Sequence, residues 1–141
     1  MIEVKNIEFA YEKNKYFIEN LNVNIEEGKV TTILGPNGSG KSTLLGIICG
    51  LNKISNGEVW INNKNIKKLS YRDLAKEIAT VHQQNSVPED ITVEELVSYG
   101  RTPYRKHYRG NDEEDNNIVE WAIEKTGLQG LKNKAVMSMS G

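Results

Sequence analysis

The sequence has few of the features that mark secreted or membrane-spanning proteins. Cys49 is the one cysteine among 141 residues, which excludes an internal disulfide and a cysteine-rich metal site. No run approaches the roughly 18 apolar residues that a membrane span requires. Residues 1–4 have neither the basic start nor the apolar segment of a secretory signal. We therefore expect a cytoplasmic protein whose link to a membrane, if it has one, runs through a partner.

The chain also lacks an excess of charge of either sign. It has 18 lysines and arginines against 19 aspartates and glutamates, for a formal net charge of -1. A balanced chain of this kind gives no sign of a polyanion-binding surface, so no nucleic-acid partner is expected. The length and the 38% hydrophobic content are compatible with a folded domain that has its own core.

The most informative feature that is present is a glycine-rich loop at residues 35–42. Its letters, G-P-N-G-S-G-K-S, match the pattern G-x-x-x-x-G-K-[ST], and the apolar residues 30–34 precede it. A helix is expected over residues 43–49, so that a strand enters the loop and a helix leaves it. The glycines allow positive φ, and the backbone N–H groups between Gly38 and Thr43 can then form an anion-binding nest. The pattern predicts a nucleoside triphosphate site, and a glycine turn with an incidental lysine is the alternative.

Each polar group of this loop has an expected role. Lys41 would reach the β and γ phosphates, and the Ser42 hydroxyl would ligate the Mg²⁺ ion that bridges them. The expected nucleotide contacts of the loop are Asn37, Gly38, Ser39, Gly40, Lys41, Ser42 and Thr43.

The strand signals predict an α/β fold with an antiparallel β layer. Strand-like segments over residues 2–9 and 17–25 flank a polar turn, and residues 30–34 are expected to follow as a buried central strand. The pair Asn62-Asn63 predicts a second hairpin that begins with residues 58–61. A further short strand is expected over residues 78–81. It ends in a polar run, at the point where ligand-facing residues of α/β sheets collect.

Capping signals predict the helices. Ser70 can cap a short helix over residues 71–76, and Thr92 with Glu95 forms a capping box that opens a helix ending at Gly100. Cys49, on the helix after the loop, is expected to be a small buried hydrophobe.

A last helix is predicted from a cap at Asp112 to about residue 125, with residues 126–128 ending it. The residues expected on its apolar side are Ile118, Trp121, Ala122 and Ile123.

Together these residues resemble the ATP-binding subunits of ATP-binding cassette transporters, and the resemblance covers residues 1–141. It implies a P-loop NTPase core with an antiparallel β layer over residues 1–90 and the beginning of a helical subdomain over residues 91–141. It also implies ATP as the nucleotide, and ATP hydrolysis by the complete protein. Tyr11 is similar to the family's aromatic residue that stacks on adenine. A half-buried strand tyrosine is the alternative.

The resemblance assigns two further groups of site residues. Gln83 matches the family's Q-loop glutamine, which helps to ligate Mg²⁺ and senses the γ phosphate, so Lys41 and Gln83 are the expected catalytic residues. Gln84 is the register alternative, because His82 stands where relatives usually have proline. Ser140 and Gly141 resemble the start of the L-S-G-G-Q signature, which caps the γ phosphate held by a second ATP-binding subunit in a homodimer.

In the family, the water-positioning glutamate and the switch histidine follow that signature and would lie beyond residue 141. Phosphoryl transfer needs several parts acting together, so the chain is expected to bind ATP better than it hydrolyses it. Core strands of the parallel sheet would also lie beyond residue 141. Exposed apolar surface and an open sheet edge are therefore expected to favour association.

Residues 90–104 look like the subfamily that energises uptake of iron-siderophore, haem and cobalamin complexes. The resemblance implies integral-membrane permease subunits as partners and a position on the inner face of the cell membrane. Arg101, Tyr104 and Arg105 are the candidate docking residues, since arginine and tyrosine are favoured interface anchors. A solvated basic loop is the alternative.

Two other classes of protein stay open for the chain as a whole. One is a soluble cassette ATPase that moves no solute, and the other is a small-molecule or nucleotide kinase that shares only the phosphate loop.

Overall fold

The computed structural model describes residues 1–13, 15–81, 87–105 and 113–139. The chain divides into two compact units, Met1–Thr80 and Val81–Gly141. The division predicted at residue 90 stays a prediction. In the part of the chain that the structure describes, no helix is both long enough and apolar enough to cross a lipid bilayer.

The first unit is built on a four-stranded antiparallel sheet with the strand order β2-β1-β3-β4. Strand β1 (Ile2–Glu12) and strand β2 (Lys15–Ile25) form a long hairpin. Strand β3 (Asn56–Ile61) pairs with the other side of β1, and the two-residue strand β4 (Lys64–Asn65) pairs with β3. The expected antiparallel β layer is therefore confirmed.

Asparagine closes the β3–β4 hairpin. Asn62 and Asn63 have φ values of 48° and 63°, and positive φ at both central positions is what a type I′ turn requires. Asparagine tolerates this left-handed conformation better than most residues, which is why the pair predicted the hairpin correctly.

Two helices complete the first unit, α1 (Lys41–Ile48) and α2 (Tyr71–Glu77), with a short 3-10 helix over Ile66–Lys68 before α2. The Ser70 side chain accepts a hydrogen bond from the Asp73 N–H, so the predicted cap of α2 is confirmed. Helix α1 packs against one face of the sheet. The buried core consists of Val4, Ile7, Phe9, Leu44, Ile47, Ile48 and Val59.

Two predicted strands are not formed. Residues 30–34 and residues 78–81 have no regular secondary structure, and the side chains of Val30 and Leu34 are 98% and 87% exposed. Their composition suits a buried strand, but a strand needs a neighbour to receive its backbone hydrogen bonds. Within the described residues no strand pairs with either segment.

The expected burial of Cys49 was also wrong in degree, since its side chain is only partly buried and its Sγ lies 3.1 Å from Thr80 Oγ1.

The second unit contains helix α3 (Val93–Tyr99), helix α4 (Glu113–Lys125) and short 3-10 helices over Gln129–Leu131 and Val136–Ser138. The capping box at the start of α3 is confirmed, with Thr92 and Glu95 each accepting a hydrogen bond from the other's backbone N–H. Helix α3 ends at Tyr99, and Gly100 is its C-cap, as predicted. An isolated bridge between Thr92 and Ala135 joins the start of α3 to the chain after α4.

Helix α4 ends as predicted, but its buried face was predicted only in part. The N–H of Leu128 bonds to the Ile123 carbonyl around Gly127, whose φ of 71° closes the helix end. The buried residues are Asp115, Val119 and Ile123, at a spacing of four. Trp121 lies off that stripe and is 58% exposed, so its expected place on the apolar side was wrong. The predicted cap, Asp112, lies outside the described residues.

Candidate phosphate-binding site

The loop between residue 34 and helix α1 has the backbone geometry that its glycines predict. Gly38 and Gly40 have φ values of 81° and 91°, in the left-handed region that a side chain disfavours. A Cβ on Gly35 would lie 2.6 Å from Ser39 Oγ, so a side chain there would require the Ser39 hydroxyl to move. The Leu44 N–H bonds to the Gly40 carbonyl at 2.8 Å, and α1 begins directly from the loop.

The start of α1 is open to an anion. No side chain caps this helix, and no acidic residue lies in its first turn. The N–H groups of a first turn have no partner within the helix and form the positive end of its dipole. Asn37, Ser39 and Ser42 are exposed beside it. This arrangement suits phosphate groups, while the individual roles of these side chains stay predictions.

Lys41 lies across the mouth of the loop. Its Nζ donates hydrogen bonds to the carbonyl oxygens of Gly35 at 2.9 Å and Pro36 at 2.8 Å. These two neutral acceptors hold the ammonium group close to the loop backbone. A phosphate oxygen would be a stronger acceptor for the same group, because hydrogen bonds between charged partners are roughly twice as strong as neutral ones.

Tyr11, at the end of β1, is joined to the third residue of α1. Its Oη lies 2.6 Å from Thr43 Oγ1, a hydrogen bond in which either hydroxyl can be the donor. Thr43 is buried, with 6% of its surface exposed, whereas 66% of Tyr11 is exposed. The predicted base-stacking residue is therefore attached directly to the helix that leaves the phosphate loop. Sequence reasoning did not foresee this link, because the two residues lie 32 positions apart.

Two further aromatic rings hold Tyr11 from the side. The Phe9 ring centroid lies 4.7 Å from that of Tyr11 at an interplanar angle of 89°, and Phe17 on β2 lies at 5.4 Å and 60°. Both are edge-to-face geometries of the kind that aromatic pairs favour. A small cavity of about 200 Å³ lies beside them, lined by Tyr11, Glu12, Lys15, Tyr16 and Phe17. An exposed aromatic ring next to a phosphate loop has the chemistry of a platform for a nucleobase.

Sequence reasoning also missed Asn52. Its Nδ2 donates a hydrogen bond to the Thr43 carbonyl at 3.3 Å, and a Cβ on Gly46 would lie 2.6 Å from the same nitrogen. Asn52 thus lies close against α1 and contacts its first turns. No motif marked this residue, because its role depends on a tertiary contact.

Several predicted site residues lie outside the described residues. They are Gln83 and its alternative Gln84, with His82, and the signature residues Ser140 and Gly141. Their expected contacts with Mg²⁺ and ATP stay predictions.

The three candidate docking residues belong to the second unit and make contacts within it. Arg101 is largely buried, and its Nε lies 2.6 Å from Oδ1 of the buried Asp115. Arg105 Nε lies 3.5 Å from Asp115 Oδ2. The Arg101 guanidinium also lies 4.1 Å from the centre of the Tyr104 ring, a cation–π contact. The predicted alternative of a solvated basic loop does not describe Arg101, and a docking role for the three residues stays a prediction.

Comparison with protein families gives one match over most of the chain. The model described as ABC transporter matches residues 18–141. The iron(3+)-hydroxamate import ATP-binding protein of Bacillus subtilis (strain 168) is 39% identical over 128 residues, which are 91% of this chain and 48% of that protein. The petrobactin import ATP-binding protein FpuC of Bacillus anthracis is 39% identical over 142 residues, which are 100% of this chain and 52% of that protein. The chain thus spans about half the length of these relatives.

Solved structures give the same fold. A dimeric ATP-binding cassette in a post-hydrolysis state, bound to ADP and Pi, matches with a TM-score of 0.78 and 30% identity, over 99% of this chain and 63% of that chain. A nucleotide-free ATP-binding cassette from an ABC transporter matches with a TM-score of 0.81 and 26% identity, over 99% and 59%. The expected α/β cassette fold with an antiparallel β layer is therefore confirmed.

Proposed function

From the premise that this chain belongs to the ABC transporter family, we propose that its loop at residues 35–43 binds ATP together with Mg²⁺. The observation that supports this most directly is the open loop itself. Gly38 and Gly40 hold it in a left-handed conformation, and α1 begins behind it without a capping side chain or an acidic first turn. Lys41 supplies the one positive side chain of the loop, with its Nζ placed over the Gly35 and Pro36 carbonyls.

The residues at the start of α1 fit a magnesium nucleotide. Ser42 is exposed in the first turn, where a hydroxyl oxygen can act as a hard ligand for Mg²⁺. We assign Gln83 as a second ligand on the basis of the family resemblance. When bound, the ion would neutralise charge on the β and γ phosphates. Tyr11 would hold the base, and the other loop residues named above would hold the phosphates.

The whole protein to which this chain corresponds is proposed to be the energising subunit of an importer, with iron-siderophore complexes as the cargo. The names of the relatives support this class, since they describe iron(3+)-hydroxamate import, petrobactin import and ferric enterobactin transport. We propose membrane permease subunits and a second ATP-binding subunit as partners, with the protein on the cytoplasmic face of the membrane. The dimeric state of one structural relative supports the second subunit.

We propose that the 141-residue chain binds ATP without efficient hydrolysis. The described loop supplies positioning and charge for the phosphates, but phosphoryl transfer also needs a group that orients the attacking water. The family resemblance assigns that role to a glutamate that follows the signature. A phosphate-release assay on the purified chain with Mg-ATP tests the proposal. Turnover typical of this enzyme class that is abolished by Lys41→Ala would overturn it.

Calorimetric titration of the chain with Mg-ATP tests the binding itself. We expect saturable binding that Lys41→Ala weakens by about tenfold or more, because hydrogen bonds to charged groups contribute about 1.5–3 kcal/mol. Lys53→Ala is the matched control, since Lys53 is an exposed lysine of the same unit outside the loop. A folded chain that does not bind Mg-ATP, or an equal loss in both variants, would contradict the proposal.

A further inference from the structure

We propose that Thr43 is a positioning residue for Tyr11, and that the hydrogen bond between them couples binding of the base to binding of the phosphates. This inference rests on the proposed function, namely that the loop binds ATP. Thr43 would contribute to ATP affinity through the tyrosine as well as through the loop.

The hydrogen bond is well suited to fix the phenol. The 2.6 Å separation between Tyr11 Oη and Thr43 Oγ1 is within the usual range for a bond between two hydroxyl groups. Thr43 is buried on α1, and its carbonyl accepts a hydrogen bond from Asn52. Branching at Cβ limits the Thr43 side chain to two main rotamers on a helix, and its burial restricts it further. Its hydroxyl is therefore a fixed point for the end of the Tyr11 side chain.

The rest of the tyrosine ring is held by two rings, one of which also contacts the loop. Phe9 and Phe17 lie edge-to-face with Tyr11. Phe17 packs against the loop as well, because a Cβ on Gly40 would lie 3.3 Å from its ring. Tyr11 is thus held relative to Gly40 and Thr43 at the start of α1, although most of its surface is exposed for a ligand.

This geometry has a consequence for ligand choice. A nucleotide that stacks on Tyr11 while its phosphates lie in the loop would use two surfaces whose separation is already set, and preorganisation lowers the entropic cost of binding. Inorganic tripolyphosphate can use only the loop. Loss of the Tyr11 hydroxyl would therefore weaken ATP binding and leave tripolyphosphate binding almost unchanged.

A double-mutant cycle with two ligands tests the coupling. Mg-ATP and Mg-tripolyphosphate are titrated into the wild-type chain, Tyr11→Phe, Thr43→Val and the double variant, with Thr43→Ser as the conservative rescue. Tyr11→Phe should weaken ATP binding by about threefold to tenfold, the usual range for one neutral hydrogen bond, and tripolyphosphate binding by less than about twofold. In the Thr43→Val background, Tyr11→Phe should cause no further loss, and Thr43→Ser should bind ATP like the wild type.

Tyr71→Phe is the matched control, because it removes an exposed phenolic hydroxyl from α2 of the same unit. Thermal denaturation of each variant separates a loss of folding from a loss of affinity. Unchanged or tighter ATP binding by Tyr11→Phe would overturn the inference, as would additive losses in the double variant. A wild-type chain that binds tripolyphosphate and ATP equally would overturn the inference alone. A wild-type chain that binds neither ligand would overturn the proposed function and, with it, the inference.

Discussion

Arg101 and Asp115 form a buried ion pair, with 2.6 Å between Arg101 Nε and Asp115 Oδ1. It joins the chain after α3 to the first turn of α4, so it fixes the segment that contains the candidate docking residues. The Arg101 guanidinium also makes the cation–π contact with the exposed ring of Tyr104. Of the three candidates, Tyr104 is the most exposed and Arg101 the most buried.

Replacement of Asp115 should destabilise the second unit. In Asp115→Asn the Arg101 guanidinium keeps its largely buried position but loses its carboxylate partner, and breaking a buried ion pair by removing one partner costs about 3–5 kcal/mol. Urea denaturation followed by circular dichroism measures the change. Glu120→Gln is the control. Glu120 lies on an exposed part of α4, the helix that contains Asp115, and pairs with Lys132. Equal effects of the two substitutions would show that the Arg101 pair adds no more to stability than the exposed pair does.

Alanine at Gly40 should weaken ATP binding as well as stability. A left-handed φ costs an ordinary residue about 1–2 kcal/mol, and the added Cβ would press on the Phe17 ring at 3.3 Å. Gly28→Ala is the matched control, since Gly28 has a φ of 72°, has nothing within 4 Å of an added Cβ and lies outside the loop. Both variants should lose stability in thermal denaturation, but only Gly40→Ala should lose affinity in calorimetry. A comparable loss of affinity in Gly28→Ala would contradict the special role of the loop glycine.

Alanine at Gly57 should disrupt the pairing of β1 with β3. Its Cβ would lie 2.4 Å from the carbonyl oxygens of both Lys5 and Asn6, which are backbone atoms that cannot move aside cheaply. We expect a loss of about 2 kcal/mol or more in the free energy of unfolding. Gly130→Ala is the control, since an added Cβ there meets nothing within 4 Å. A Gly57→Ala chain as stable as Gly130→Ala in urea would show that the sheet relaxes around the methyl group.

The features that sequence predicted correctly depend on a few neighbouring residues. The Asn62-Asn63 turn, the Ser70 cap and the Thr92–Glu95 capping box each satisfy backbone groups within four positions. The phosphate loop is also local, since its conformation is set by its own glycines and by the helix that follows it. Interactions over such short separations are determined by residue type, so a motif is enough to identify them.

The features that sequence missed depend on partners far away in the chain. Residues 30–34 have the composition of a buried strand, but pairing and burial require other segments. The link from Tyr11 to Thr43 and the pair of Arg101 with Asp115 join residues 32 and 14 positions apart. The exposure of Trp121 depends on which stripe of α4 packs inward. None of these follows from residue type and spacing alone.

The capping box at α3 should make stability depend on pH. The Thr92 backbone N–H, together with the Thr92 hydroxyl, donates to the Glu95 carboxylate and holds the pKa of Glu95 below its ordinary value of 4.5. A carboxyl whose folded pKa is lowered stabilises the fold above its unfolded pKa, and this contribution disappears as the pH falls through the lowered value. Glu95→Gln should therefore lower stability near neutral pH and reduce the fall in stability at acid pH.

Urea midpoints measured at about pH 7 and at several values below about pH 4.5 test this dependence. Glu124→Gln is the control, because Glu124 is an exposed glutamate of α4 far from the capping box in sequence. An acid-induced loss of stability that is the same in Glu95→Gln and in the wild type would exclude the carboxylate as its source.

The segment 30–34, which is exposed except at Ile33, should promote self-association of this chain. Val30 and Leu34 are almost fully exposed, the residues between them are β-branched, and no residue of the segment is charged. An uncharged segment of high β-propensity with which no strand of the described residues pairs is a template for pairing with another chain. The net charge of -1 provides little repulsion between copies to oppose it.

Sedimentation velocity at increasing concentration should show association that Val30→Lys reduces. Leu51→Lys, at an exposed leucine outside the segment, should have less effect. A strictly monomeric wild-type chain over the same range would contradict this expectation.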